Sequence, residues 1–186
     1  QHIPFVLSDN LKWLSDSTRR FDLVIAPDGA PEELDGYVRE GGHLLMAGAA
    51  LPKLNAGKVV GRQPLTRGYW RIHDHTFFPS LRNTKLLFLD GEFVELAPLN
   101  KPLLTLIPPA MFGPPEKVWV DKVESEKPGL ILSDHGKGRL AYVPWDVGGL
   151  YYRHSSTGHA GLMADLIDHL LPQGRQLKTS AHPLVE

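Results

Sequence analysis

The sequence predicts an α/β domain with a β-rich middle segment. The first fifty residues alternate strand-like apolar runs with one helical segment, an order typical of a strand–helix–strand unit. Residues 51–128 show no helical period. Residues 159–171 then close the regular part of the chain with apolar side chains at helical spacing. One domain of 186 residues is long enough to bury a core of its own.

The first strand–helix–strand unit is the best-defined part of the sequence. Residues 21–26 and 43–48 are apolar on both faces, as strands in a buried parallel sheet are. Pro31 suits the first turn of a helix between them, and a glycine pair at 41–42 suits its end. One face of that helix carries Leu34, Tyr37 and Val38. The two strands are therefore expected to pair in parallel, with a right-handed crossover.

The elements on either side of this unit are less regular. Before it, an apolar run at 4–8 precedes a short helix through Leu11, Trp13 and Leu14. After it, an Asp90–Gly91 turn predicts a hairpin over 85–97. Strands are also predicted at 69–73, 104–107, 118–120, 129–133 and 138–143, followed by the helix at 159–171. We expect one domain over 1–174, with 51–128 as its β-rich part, and a polar tail over 175–186.

Composition excludes several classes of function. Lys and Arg number 20 against 21 acidic residues, so the basic excess of a nucleic-acid-binding protein is missing. The chain has no cysteine, which excludes disulfides, cysteine-ligated metals and a cysteine nucleophile. No apolar run approaches the roughly 20 residues that span a bilayer, and no signal peptide is recognisable. We expect a soluble protein without membrane or nucleic-acid partners, favour the cytoplasm, and take the start at Gln1 to suggest processing or a fragment.

Familiar catalytic and metal motifs are weak. The glycines at 136–138 lead into a strand instead of a helix, so they do not fit a dinucleotide site. Ser155 or Ser156 with His159 and Asp146 lack the strained turn that exposes a nucleophilic serine. No spacing pairs two acids among Glu92, Glu95, Asp121, Glu124 and Asp134. On a strand, His73 and His75 would share one face, which makes them a weak candidate metal pair with no evident third ligand.

The most unusual stretch is 144–154, directly after a predicted strand. Open α/β sheets place ligands at the carboxyl ends of their strands. Aromatic faces together with charged groups suit contact with a sugar or a partner, although the same aromatics would also suit packing of a loop against the domain. The candidate ligand- or partner-binding residues are Trp145, Asp146, Tyr151, Tyr152, Arg153 and His154.

Three stretches together resemble a known family. Residues 4–9, 37–48 and 136–153 are similar in order and spacing to class I glutamine-amidotransferase-like domains. The likeness is greatest to those attached to glycoside hydrolases, such as the β-galactosidase trimerisation domain. It covers roughly 3–50 and 129–171 and leaves the middle unplaced. The resemblance implies a flavodoxin-like three-layer sandwich with a mostly parallel sheet, in which residues 4–9 correspond to a second strand.

The resemblance also implies a function. Amidotransferases of this family use a cysteine nucleophile at a strand end, whereas residues 46–50 offer neither cysteine nor serine. The domain is therefore expected to be a non-catalytic accessory unit without a cofactor. Its expected roles are homo-oligomerisation or contact with an upstream catalytic barrel, with carbohydrate as a candidate ligand. Two alternatives stay open: a free-standing metal-dependent hydrolase using His73 and His75, and a purely structural interaction module.

Overall fold

A computed structural model describes residues 5–15, 21–54, 56–108, 114, 116 and 124–171. They form a mixed α/β fold with two sheets. The strands are β1 (Leu23–Ala26), β2 (His43–Ala47), β3 (Val59–Ile72), β4 (Leu86–Leu96), β5 (Leu104–Ile107), β6 (Ile131–His135) and β7 (Gly138–Val143). The α-helices are α1 (Leu34–Arg39), α2 (Val147–His154) and α3 (Thr157–Leu170). Short 3-10 turns lie at Lys12–Ser15 and Pro79–Leu81.

The first sheet has the strand order β1-β2-β7-β6. Strands β1, β2 and β7 are parallel, which confirms the strand–helix–strand unit predicted for the first fifty residues. The second sheet, made of β3, β4 and β5, is antiparallel, so the expectation of a mostly parallel flavodoxin-like sandwich is not confirmed. In the first sheet, β6 is also antiparallel to its neighbour β7. The cause is local: Gly136 adopts φ 64° in a tight turn, and this returns the chain alongside β6.

Strand β2 is buried on both sides because helices cover both faces of the first sheet. Leu45 and Ala47 belong to the core that includes α3, while Leu44 and Met46 belong to the core that includes α1. This alternation follows from the period of two in a strand. The part of the chain around β2 is thus layered as helix, sheet and helix.

The second sheet is antiparallel, with the strand order β4-β3-β5. It confirms a β-rich middle, but the predicted hairpin over 85–97 is wrong. Strand β4 runs unbroken through Asp90 and Gly91, and both residues pair with β3. The 14-residue β3 offers a partner along the whole of β4, so pairing outweighs the local turn preference. A register shift between Gln63 and Thr66 accommodates Pro64, which cannot donate to the ladder.

Some predicted elements differ at the ends of the chain. The apolar run before the first unit is not a strand over its described residues, and Phe5, Val6 and Leu7 are exposed. A 3-10 turn replaces the predicted short helix at Lys12–Ser15. The predicted strand at 118–120 and the tail at 175–186 lie outside the described residues. Across the described ranges, no helix is both long and apolar enough to cross a membrane.

Two glycines provide a matched test of this packing. A Cβ at Gly138 would overlap the carbonyl oxygens of Val38 and Gly42, which are backbone atoms that cannot turn aside. A Cβ at Gly148, in the first turn of α2, would meet nothing within 4 Å. We expect Gly138→Ala to lower the free energy of unfolding by about 2 kcal/mol or more. Gly148→Ala should raise it by about 0.5–1 kcal/mol.

Urea denaturation followed by circular dichroism measures both changes. Equal stability of the two variants would contradict the close contact between β7 and the end of α1.

Candidate functional site

The carboxyl ends of the parallel strands, where a ligand crevice was expected, are closed by backbone contacts. The Gly29 amide donates to the Ala47 carbonyl at 3.4 Å, and the Gly48 amide donates to the Trp145 carbonyl at 3.0 Å. Gly48 adopts φ 104°, and a Cβ there would lie 2.8 Å from the Pro27 carbonyl oxygen. Residues 46–50, at the carboxyl end of β2, contain neither cysteine nor serine.

The first candidate residue, Trp145, lies in the core. It is fully buried and stacks on Trp70, with ring centroids 5.8 Å apart and planes inclined by 27°. Its indole N–H donates to the Gly129 carbonyl at 2.9 Å. The ring therefore has no exposed face with which to contact a ligand, and its place in the structure is that of a packing residue.

The second candidate, Asp146, is the N-cap of α2. Its Oδ1 accepts a hydrogen bond from the Gly149 amide at 2.7 Å and so satisfies one of the unpaired donors at the helix start. Val147 and Leu150 form the buried face of the helix. The helix ends at Ser155, which adopts the left-handed conformation with φ 49°.

Helix α2 presents the remaining candidates at its carboxyl end. Tyr152 is 88% exposed and Tyr151 is 49% exposed. Arg153 Nη1 lies 3.5 Å from Asp146 Oδ2, a half-exposed ion pair of small energetic weight. We call Asp146, Tyr151, Tyr152 and Arg153 the α2 surface. His154 instead lies edge-on to Phe88 of the second sheet, with ring centroids 5.7 Å apart.

A polar cluster that sequence reasoning found only in part surrounds His73. Its Nε2 lies 2.7 Å from Thr105 Oγ1 and 3.1 Å from Glu124 Oε1. The Thr105 hydroxyl also donates to Glu124. Arg71 Nε lies 2.8 Å from Glu124 Oε2, an ion pair too bent for a good hydrogen bond. A catalytic relay needs the hydroxyl and the carboxylate on different imidazole nitrogens, whereas here both contact Nε2.

The predicted metal pair is not arranged as a strand pair, because β3 ends at Ile72. His73 and His75 lie in the turn that follows, and Asp74 accepts hydrogen bonds there from the amides of Thr76 and Phe77. In the ranges that the structure covers, no group of three histidine or acidic side chains is placed to hold a metal ion.

Two of the other acid candidates form ion pairs. Glu92 lies 2.7 Å from Arg62, and Glu95 lies 3.0 Å from Lys127. Asp134 is opposite Arg139 in the β6–β7 register, and Asp121 lies outside the described residues. These contacts do not form the facing pair of carboxyl groups that glycoside hydrolysis requires.

The serine–histidine combination is not assembled either. Ser155 ends α2 and Ser156 precedes α3. His159 is 1% exposed, and its Nε2 is 2.8 Å from the Phe88 carbonyl, so that nitrogen is the donor. Burial holds the pKa of His159 below its ordinary value of 6.5, which keeps the ring neutral against Trp145.

Comparison with known proteins gives likenesses of structure. No family model and no curated protein matches the chain. The α-L-fucosidase isoenzyme 2 from Paenibacillus thiaminolyticus matches 82% of this chain with a TM-score of 0.61 and 18% identity. The match spans 25% of the fucosidase chain.

Two further likenesses are weaker. The β-galactosidase from Rahnella sp. R3 gives a TM-score of 0.42 at 18% identity, over 82% of this chain and 23% of its own. A cytoplasmic protein of Salmonella typhimurium LT2 gives 0.47 at 12% identity, over 81% of this chain and 72% of its own. TM-scores below 0.5 do not establish a common fold. Of these three proteins, only the fucosidase is therefore shown to share the fold of this chain.

The role of Asp146 as a helix cap can be separated from any role of its charge. We expect Asp146→Ala to lower the free energy of unfolding by about 1 kcal/mol because α2 loses its cap. Asp146→Asn keeps a side-chain oxygen for the Gly149 amide and should stay within a few tenths of a kcal/mol of the parent. Urea denaturation of both variants tests this, and equal losses would show that the charge, not the cap, is what matters.

Burial of neutral His159 predicts loss of stability in mild acid. Its folded pKa is lowered, so the unfolded chain takes up a proton first as the pH falls below 6.5. Stability is therefore full above that pH and declines as the pH drops toward the folded pKa. His43 and His169 act in the same direction, since burial also lowers the pKa of each.

Urea midpoints at about pH 7.5 and about pH 5.5 measure this decline. His159→Gln, which can still donate to the Phe88 carbonyl, should show a smaller decline than the parent chain. An undiminished decline in His159→Gln would contradict the assignment.

Proposed function

We propose that this chain is a non-catalytic accessory domain of a carbohydrate-active enzyme and that it makes its contacts through the α2 surface. The observation that carries the proposal is the fold shared with a quarter of an α-L-fucosidase chain. A unit of this size within a larger glycosidase fits a domain that accompanies a catalytic domain. The amidotransferase-like, flavodoxin-like classification belongs to the same proposal and rests on the sequence resemblance.

The candidate catalytic groups among the described residues are not assembled, and this supports the non-catalytic role. The strand ends carry glycine and alanine where the family's nucleophile would stand. The hydroxyl and carboxylate beside His73 share one nitrogen of the ring. The alternative of a metal-dependent hydrolase gains no support from His73, because its Nε2 is already engaged by Thr105 and Glu124.

The chemistry of the α2 surface fits contact with a second copy of this chain. Tyrosine and arginine are enriched at the centres of protein interfaces, because each adds contact area and a polar group together. Tyr152 leaves nearly all of its ring in solvent, although the helix beneath it is anchored by buried Val147 and Leu150. The same rings suit stacking on a sugar, which is the carbohydrate part of the proposal.

Sedimentation velocity from about 1 µM to about 200 µM tests the contact between copies. We expect concentration-dependent association of the chain, weakened at least about tenfold by Tyr152→Ser. Val60→Ser changes an apolar residue on β3 that is 59% exposed. It is the control and should associate like the parent.

A glycan array of galactosides and fucosides tests the carbohydrate part. Binding that Tyr152→Ser abolishes and Val60→Ser preserves would support it. A chain that stays monomeric over the whole range and binds no glycan through Tyr152 would overturn the proposed function and leave the purely structural alternative.

A further inference from the structure

A second candidate site lies away from α2, in a cleft of about 560 Å³ beside the His73 cluster. Its volume falls within the roughly 300–1,000 Å³ that is usual for small-molecule sites. Thr105, which is 5% exposed, and Glu124 lie at its polar end. Leu99 and Pro102 supply apolar wall, and Lys101 and Glu126 bring charged groups to it. We call this the His73 cleft.

The hydrogen bonds at the polar end determine which nitrogen of the His73 ring carries the hydrogen. The Thr105 hydroxyl gives its proton to Glu124, so its oxygen accepts from His73 and Nε2 must carry the hydrogen. In the neutral ring Nδ1 is then an acceptor, and it makes no hydrogen bond within the described part of the chain. Arg71 balances the charge of Glu124, so this end of the cleft is preorganised before any ligand arrives.

The charged groups at the cleft are balanced. Lys101 and Glu126 make no ion pair with any other described residue, and they contribute one cation and one anion. With Glu124 matched by Arg71, the described residues that line the cleft carry no excess charge that would favour an ionic ligand. It does offer a charged donor at Lys101 and acceptors at Glu126 and His73. Neutral polyhydroxylated molecules match this set, since each hydroxyl both donates and accepts.

The backbone at Lys101 supports the same assignment. Lys101 adopts φ 58°, the left-handed conformation that few residues other than glycine occupy. Such conformations cost about 1–3 kcal/mol and concentrate at binding sites, where they aim a side chain. Lys101 and the following residue, Pro102, both line the cleft.

From these observations we propose that the His73 cleft binds a single sugar unit or a similar neutral polyol. Lys101 and Glu126 contact its hydroxyls, and Leu99 and Pro102 cover its apolar face. The cleft lies on the second sheet and shares no residue with the α2 surface, so the two proposals stand separately.

Nuclear magnetic resonance titration of the ¹⁵N-labelled chain tests this proposal. The probes are galactose, fucose, glucose and glycerol, with inorganic phosphate and acetate as ionic comparisons. We expect a sugar to shift the amide signals of residues 99–105 and 124–126. Lys101→Met and Glu126→Gln should each weaken that binding about tenfold, the effect of losing one hydrogen bond to a charged group.

Matched controls exclude a general effect of surface charge. Lys53→Met and Glu40→Gln change exposed residues outside the cleft and should leave the affinity unchanged. Both cleft variants replace accessible side chains with ones of similar length, so we expect both to fold. The spread of their amide signals will report whether each does.

Several results would overturn the proposal. They are the lack of cleft shifts with every sugar up to about 100 mM, cleft shifts with phosphate or acetate alone, and unchanged affinity in both cleft variants. Shifts confined to residues 146–154 would overturn the cleft while supporting the α2 surface. The two proposals can fail separately, because we expect Tyr152→Ser to bind sugar in the cleft as the parent does even where it loses self-association.

Discussion

The stacking of Trp145 on Trp70 joins the two halves of the molecule. Trp145 directly follows the parallel sheet, while Trp70 lies on β3, the middle strand of the antiparallel sheet. The Val94 amide reinforces the junction by donating to the Pro144 carbonyl at 2.8 Å. Burying one such ring contributes about 4–6 kcal/mol at ~25 cal/mol per Å². This stabilisation outweighs the desolvation penalty of ~1–3 kcal/mol for the Trp70 indole N–H, which is buried without a hydrogen-bond partner in the described structure.

This junction also positions α2. Helix α2 begins at Val147, two residues after Trp145. Its first turn is therefore tied to the Trp145 ring, which is fully buried between the two sheets. His159 packs edge-on to Trp145 with ring centroids 5.6 Å apart, which ties α3 to the same point. The exposed tyrosines of α2 therefore stand on a rigid base. A rigid base favours contact with a partner, because little conformational entropy is lost on binding.

Sequence patterns predicted the local elements well and the distant pairings poorly. Strands β1 and β2 and helix α1 follow from nearby residues, and the structure confirms them. The prediction of a turn at Asp90–Gly91 was wrong because pairing with β3 keeps β4 extended through these residues. Helix α2 was missed because Gly148 and Gly149 have low helix propensity. Trp145 was predicted to contact a ligand or partner, which is wrong because it is buried against Trp70, a residue remote in sequence.

The His73 cluster shows the same limit in the candidate site. The sequence predicted His75 as the partner of His73 in a metal site, whereas the residues that contact His73 in the structure come from other segments. The antiparallel register places Arg71 opposite Thr105, and Glu124 then reaches both. No periodicity within one segment could indicate that meeting, because it arises from pairing between β3 and β5. The unplaced middle of the family resemblance thus builds the polar cleft, whereas the recognisable parallel sheet, closed at its strand ends by backbone contacts, supplies the framework that holds α2.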